Sequence, residues 1–518
     1  LVSGKQDDEW LNHARDWFTL GRMNTDSSLP RVVGFTAATA VVVGTVIGSG
    51  VFKKATAVAN LVPDFTLAML AWVVVGVLTL LGALALAEVA VIVPKVGGNY
   101  AILRDAYGRW AGFLWGWVEF WIIRSASIAA LATIFTESLH DILRQTIAEN
   151  PSGEIIGPLG RSLITAGVII ALGLINARGT NWGGALQVTV TAVKVASLIG
   201  LAMLPYLVAL AGKTPAISET LPLAVTEKAI SISGFLGALV GVFWAYHGWM
   251  NIAPIAGEVK NPQRNIPLAV ICGVSLIILL YLSVNIGYHQ AIPIGEIAAL
   301  KGTVAGEYAR RLLGPIGLVL ASGAIMVSVF GSLNGNILVG PRLLFAMGED
   351  RLAPRWLSGL HPRYQTPARA ELVLTGWCVI QVTTVAILLQ VTLPTLELAG
   401  QTLDLNLPRD KSPFDVITDF AMFGAISFET FAVASIFVFR RRYPRDQVAL
   451  PYRCPLYPVL PAVYVLALGA VLANMFIKQR AESLTGVGFI TVGGLIYLLF
   501  LRNTGKNPNS TAKDELIP

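Results

Sequence analysis

The chain has 518 residues, of which 54% are hydrophobic and only 13% charged, whereas an ordinary soluble domain carries about 25% charged residues. That balance excludes a soluble globular protein and points to a polytopic membrane protein. The formal net charge of +7 is not read as a nucleic-acid signal, because surplus Lys and Arg in a membrane protein collects in cytoplasmic loops.

A spanning helix needs about 20 mostly apolar residues. About twelve such segments are present, numbered here as spans one to twelve: 31–58, 64–93, 110–139, 159–176, 183–210, 231–256, 267–290, 312–346, 369–391, 413–439, 456–477 and 483–501. Long strands of alternating hydrophobicity, the mark of a membrane barrel, are missing from the sequence. The expected fold class is an all-α bundle of about 12 transmembrane helices. An even count puts both termini on one side. The basic runs Arg440–Arg442 and Arg342–Arg369 make that side cytoplasmic. The expected location is the cell membrane, in a bacterium the inner membrane.

In chain order, residues 1–30 come first. Trp10, Leu11, Ala14, Trp17 and Phe18 share one helical face, which predicts a short amphipathic helix lying on the inner membrane surface; packing on the cytoplasmic loops is the alternative. No cleavable signal peptide is read there, since these residues are polar and charged. Span one carries Gly44, Thr45, Gly48, Ser49 and Gly50 at mid-membrane. Each glycine costs a helix interior about 1 kcal/mol relative to alanine. The stretch is either a close helix crossing or a break that frees backbone groups for a ligand. Span three holds Glu119 and Arg124 among apolar residues. Isolated charges at that depth are expensive, so each is expected to find a partner. Five residues apart on an α-helix, they are not expected to pair with each other. Span five holds Lys194, too deep to reach the interface easily. Span six interrupts itself with Trp244, Ala245, Tyr246, His247 and Gly248. Span eight places Ser328, Ser332, Asn334 and Asn336 at mid-span, and span ten carries Glu429. Of the three cysteines, Cys272 and Cys378 are expected in the core and Cys454 in an inner loop; they form no disulfide framework.

Spans one to five (31–210) and six to ten (231–440) repeat one pattern, and the two interrupted spans open the halves. Five is odd, so the second half inserts with inverted topology. Paired glycine-interrupted spans at matching positions point to a transporter binding site. Spans eleven and twelve (456–501) lie outside the repeat, and 502–518 is read as a cytoplasmic tail.

These features resemble the amino acid–polyamine–organocation superfamily of transporters, and within it the L-type amino-acid transporters and their bacterial homologues. The resemblance rests on Gly44–Phe52 in span one, Pro94–Tyr100 after span two, Trp244–Trp249 with Glu258–Pro262 in span six, and Phe330–Gly335 in span eight. It implies the five-plus-five inverted-repeat (LeuT-like) fold with two extra helices, and a substrate site between the breaks. The amides of Gly48, Ser49 and Gly50 open the outer half-helix and suit a carboxylate. The carbonyls of Thr45, Val46, Ile47, Trp244, Ala245 and His247 suit an ammonium. Trp244 stands where the family has an aromatic gate. Lys194, with Ser328 or Ser332, matches a lysine of some relatives and stands where sodium-coupled members hold their ion, so transport is expected to be sodium-independent. Such an ammonium is also able to give up a proton during a cycle; a purely structural cation bridging spans one, five and eight is the alternative.

Two departures from the family pattern stand out. His247 replaces a residue that is often small, which shrinks the pocket or adds a titratable group; a packed histidine is the alternative. Loop 140–158 lacks the cysteine by which animal members bind a glycoprotein subunit, so no disulfide-linked partner is expected, and the unit is a monomer or homodimer. For Glu119 and Arg124 a structural network is expected. Glu429 is left open between pairing with an arginine, relaying protons and favouring cationic substrates. The reading is a secondary active amino-acid transporter working by alternating access, not an enzyme. The alternatives are a polyamine or organic-cation carrier, and an amino-acid sensor that moves nothing. No cofactor or metal is expected, because no nucleotide loop or metal-ligand spacing occurs.

Overall fold

The computed structural model describes residues 31–92, 98–147, 155–178, 180–212, 231–300, 302–388, 390–391, 396–398, 401–403, 413–444, 450 and 452–502. The expected surface helix within 1–30, the tail beyond Arg502 and the Pro94–Gly97 part of the motif after span two lie outside the described residues.

The protein is an all-α polytopic membrane protein. Among the described residues eleven helices are long and apolar enough to cross a membrane. They coincide with spans one to five and seven to twelve. The missing one is span six, which is not a continuous helix. Ile232–Tyr246 is α-helical for 15 residues, and a 3-10 helix, Trp249–Glu258, follows. Fifteen residues rise about 22 Å, short of a hydrocarbon core of about 30 Å. Eleven of the twelve expected segments are thus seen as long apolar helices among the described residues, and span six is in two pieces. The described strands form one short antiparallel hairpin, β1 (Leu396–Leu398) with β2 (Gln401–Leu403), between spans nine and ten.

Burial separates central helices from peripheral ones. Spans one and three have 78% of their apolar window buried, and span twelve only 6%. Since no membrane is present to cover them, the exposed apolar faces of spans four, five, nine and twelve are the lipid-facing surface. Cys378 and Cys454 are buried, but Cys272 is exposed on span seven rather than in the core. In lipid an apolar outer face satisfies a small thiol as well as a core does.

Spans three and eight pack along each other and are the longest helices, Arg109–Thr146 (38 residues) and Pro315–Glu349 (35 residues). At 1.5 Å per residue both exceed 50 Å, so their ends stand about 10 Å beyond the hydrocarbon on each side. Span three contains a π-helical turn, Glu119–Arg124. Such a turn hydrogen-bonds from i to i+5 and brings residues five apart onto one face. Glu119 and Arg124 are thereby ion-paired with each other, which corrects the expectation drawn from α-helical spacing.

Candidate functional site at two helix breaks

Span one is two helices, Phe35–Val46 and Gly50–Leu61. Ile47 leaves the helical region at φ −70°, ψ 84°. The amide of Gly48 then bonds to the carbonyl of Val46 at 2.7 Å. In an unbroken helix that amide would have bonded to Gly44. The break thus releases the Gly44 carbonyl from the helix ladder and leaves the first amides of the outer half-helix without intrahelical partners.

The break in span six lies directly against it. Gly248 has φ +108°, a conformation that side chains other than glycine rarely adopt. A Cβ there would sit 3.1 Å from the Thr45 carbonyl. The Thr45 hydroxyl lies 3.1 Å from the Gly248 carbonyl, besides its 2.6 Å bond to Val41 O. Tyr281 of span seven clasps both breaks: its hydroxyl lies 3.0 Å from the carbonyl of Val46 and 3.0 Å from that of Ala245.

Between the breaks lies a cavity of about 30 Å³, lined among others by Thr45, Val46, Gly48, Ser49, Gly50, Trp244 and His247. Room for a water or two makes this a closed conformation. The Ser49 hydroxyl is buried there and has no hydrogen-bond partner among the described residues. Of the nine residues expected to bind substrate, Ile47 and Ala245 do not line the cavity; both are fully packed behind it. Ser127, Leu131 and Asn336 complete the wall.

Behind span one, the Lys194 ammonium donates to the carbonyl of Gly44 at 2.5 Å, to that of Ile47 at 2.7 Å and to the Ser332 hydroxyl at 2.6 Å. Ser328 is not a partner of Lys194; its hydroxyl bonds to the Ile47 carbonyl at 3.2 Å. The lysine reaches this place because span eight has Gly331 beside it. A Cβ at 331 would fall 2.7 Å from Lys194 Cε and 2.3 Å from Val190 Cγ1. Three acceptors around one buried cation satisfy all its protons.

His247 Nδ1 lies 2.9 Å from Glu429 Oε1, so Glu429 pairs with an imidazole and not with the inner-leaflet arginine considered from sequence. Trp244 stacks on His247 (centroids 6.2 Å apart, 14° between planes) and meets Phe414 edge-on at 5.8 Å. Phe414 in turn lies 5.1 Å from both the Lys53 and the Lys54 ammonium. Lys54 bonds to Asp415 at 3.0 Å and Thr418 at 2.9 Å; Lys53 reaches Glu137 at 3.4 Å. These contacts close the end of the cavity at the outer half of span one.

The other end is locked by buried pairs. Arg124, paired with Glu119, also donates to Asn336 of span eight at 2.6 Å and to Asn251 of span six at 2.9 Å. Arg342 donates to Glu258 at 2.9 Å with both side chains 2% exposed. Val33 pairs with Val259 in a parallel bridge, through Val33 N to Glu258 O at 2.9 Å and Lys260 N to Val33 O at 2.8 Å. The N-terminal end of span one and the C-terminal end of span six are therefore tied together. Among the described residues no cluster of His, Cys, Asp and Glu could hold a metal ion.

Sequence reading found the breaks and the lysine but missed Tyr281, a tyrosine inside an ordinary apolar span. It also missed the Lys54–Asp415 contact, whose partners lie 361 residues apart.

The amino acid permease family profile matches residues 33–501. The serine/threonine exchanger SteT of Bacillus subtilis (strain 168) is 31% identical over 456 residues, 88% of this chain and 93% of that protein. The human cystine/glutamate transporter is 26% identical over 477 residues, 91% of this chain and 86% of its own length. The human b(0,+)-type amino acid transporter 1 is 26% identical over 478 residues, 92% and 89% of the two chains. The chain therefore belongs to the amino acid permease family of the amino acid–polyamine–organocation superfamily, and it is a secondary active amino-acid transporter, not an enzyme.

Proposed function

We propose that the protein exchanges small neutral amino acids across the cell membrane without sodium, by alternating access around the two helix breaks. The observation that carries this reading is the meeting of the two breaks, about 200 residues apart in sequence, around one cavity lined by Ser49, whose buried hydroxyl has no partner among the described residues. The substrate carboxylate lies on the amides of Gly48, Ser49 and Gly50, where the helix terminus carries about half a positive charge. The carbonyls of Val46 and Ala245 share the single Tyr281 proton, and that of Ile47 accepts from Lys194. The ammonium accordingly rests on Thr45, Trp244 and His247. His247, fixed by Glu429, reads the side chain. A serine/threonine exchanger among the relatives supports both the exchange mode and the substrate size.

The architecture behind this reading is the five-plus-five inverted repeat, 31–210 and 231–440, with spans eleven and twelve added and both termini cytoplasmic. Lys194 occupies the place of a coupling ion. Spans one and six rock against spans three and eight, with Trp244 as the gate. No disulfide-linked second subunit is needed. A polyamine carrier would require acids lining the cavity, and the nearest, Glu429, is engaged by His247.

The test is uptake of labelled serine by purified protein in liposomes, with and without internal serine and with sodium replaced by choline. Uptake that requires internal amino acid and ignores sodium is expected. A strong sodium requirement would remove the Lys194 reading. A thermal-stability screen in which only polyamines stabilise the protein would overturn the substrate class.

A further inference from the structure

A second cavity shares no lining residue with the one at the helix breaks. It is a groove of about 590 Å³ on the membrane-facing side, within the range of about 300–1,000 Å³ typical of small-molecule sites. Its walls come from spans three, nine and twelve and the segment after span eight, through residues such as Phe113, Trp117, Trp121, Trp356, Trp377 and Leu501. Two of its four indole nitrogens are engaged by backbone carbonyls. Trp117 donates to the carbonyl of Phe489 at 3.2 Å, and Trp377 to that of Trp121 at 3.4 Å. Gly376 lines the groove, and a Cβ there would meet nothing within 4 Å. Apolar faces at membrane depth imply a hydrocarbon occupant.

One end of the groove is basic. Arg351 and Arg355 bracket the lining residues Leu352, Ala353 and Pro354, and Arg502 follows Leu501; all three arginines are exposed. Arg109 and Arg369 lie one helical turn before the lining residues Phe113 and Val373. The acids beside the lining residues here are Glu349, Asp350 and Glu371; Asp350 is already engaged by Arg104 and Tyr100, and Glu371 is buried. A deep apolar slot ending in surplus arginine matches an acyl chain joined to a negative headgroup. It does not match a purely apolar guest.

We infer that this groove binds one anionic phospholipid of the arginine-rich leaflet, with an acyl chain beside Trp121, Trp377 and Gly376 and the phosphate among Arg351, Arg355 and Arg502. Each arginine near a charged headgroup contributes about 1 kcal/mol, or about fivefold in affinity. Because the groove runs between span three and span nine, its occupant packs against a helix that also walls the substrate cavity. The site is independent of the substrate assignment.

The test is native mass spectrometry of the full chain in detergent, with equimolar dioleoyl-phosphatidylglycerol and dioleoyl-phosphatidylcholine. Phosphatidylglycerol should be retained preferentially, by about tenfold or more. Gly376→Phe fills the groove where space is open and should abolish the retained lipid. The double variant Arg355→Gln/Arg502→Gln, at exposed positions that leave the fold intact, should cut the preference for phosphatidylglycerol by about tenfold or more. Melting temperatures of the variants, measured without lipid, separate lost binding from lost folding. Equal retention of both lipids by the unmodified protein would overturn the proposal. So would phosphatidylglycerol retention unchanged in both variants, or a dimer mass that Gly376→Phe removes, which would make the groove a contact between copies.

Discussion

Gly50 packs so closely on Ala245 that a Cβ at position 50 would fall 2.4 Å from the Ala245 Cα and 2.6 Å from its Cβ. The obstacle is backbone, which cannot rotate away. The closed conformation thus depends on the absence of one methyl group where the two breaks touch. Overpacking of this kind costs about 1–3 kcal/mol. Gly50→Ala is expected to slow uptake into liposomes about tenfold while the protein still inserts and purifies. Uptake at the unmodified rate would show that the two breaks need not meet.

Lys194 gives its three protons to Gly44 O, Ile47 O and Ser332 Oγ. Lys194→Met keeps the chain length and removes the ammonium, so the Gly44 and Ile47 carbonyls each lose a charged donor and keep only the Ser332 and Ser328 hydroxyls. Each such loss costs about 1–3 kcal/mol. A lower melting temperature and a loss of most uptake are expected. Ser328→Ala, whose hydroxyl meets only the Ile47 carbonyl, should cost much less. Equal effects from both variants would contradict a central role for the cation.

His247 and Glu429 are expected to behave as a unit. His247→Gly enlarges the cavity and should admit larger side chains, read as competition of leucine and methionine against labelled serine. Glu429→Ala leaves the imidazole without its acceptor, at a cost of about 1–3 kcal/mol, and should blur the same preference. An unchanged competition profile in His247→Gly would remove the side-chain role while leaving the backbone site at 48–50 untouched.

Lys54 bonds to Asp415 and Thr418 across the outer end of the cavity. Lys54→Met should loosen that closure. The readout is Ser49→Cys in a background free of Cys272, Cys378 and Cys454, labelled from the outer side with a membrane-impermeant thiol reagent. Labelling about threefold to tenfold faster is expected, the energy of a hydrogen bond to a charged group discounted for partial exposure. No change in rate would place the closing contact elsewhere.

The breaks were legible in the sequence because glycines and hydroxyls in a span otherwise built for lipid have a local cost that something must offset. Lys194 was legible for the same reason. Cys272 shows where the sequence is silent. Core-facing and lipid-facing positions of a spanning helix are equally apolar, so composition does not reveal which way a side chain looks. Tyr281 escaped notice on the same ground, since a tyrosine in an apolar span is unremarkable until its hydroxyl is seen at two carbonyls.

The sequence by itself determined the membrane-spanning class, the positions of most helices, the two interruptions and the mid-span charges Glu119, Arg124, Lys194 and Glu429, because each follows from local hydropathy and helix cost. Only the tertiary structure decided the pairing of those charges. Glu119 meets Arg124 through a π turn that α-helical spacing hides. Glu429 meets His247 across 182 residues. Ion pairs at membrane depth form wherever two unlike charges can escape hydrocarbon together, and that choice belongs to helix packing rather than to sequence neighbours.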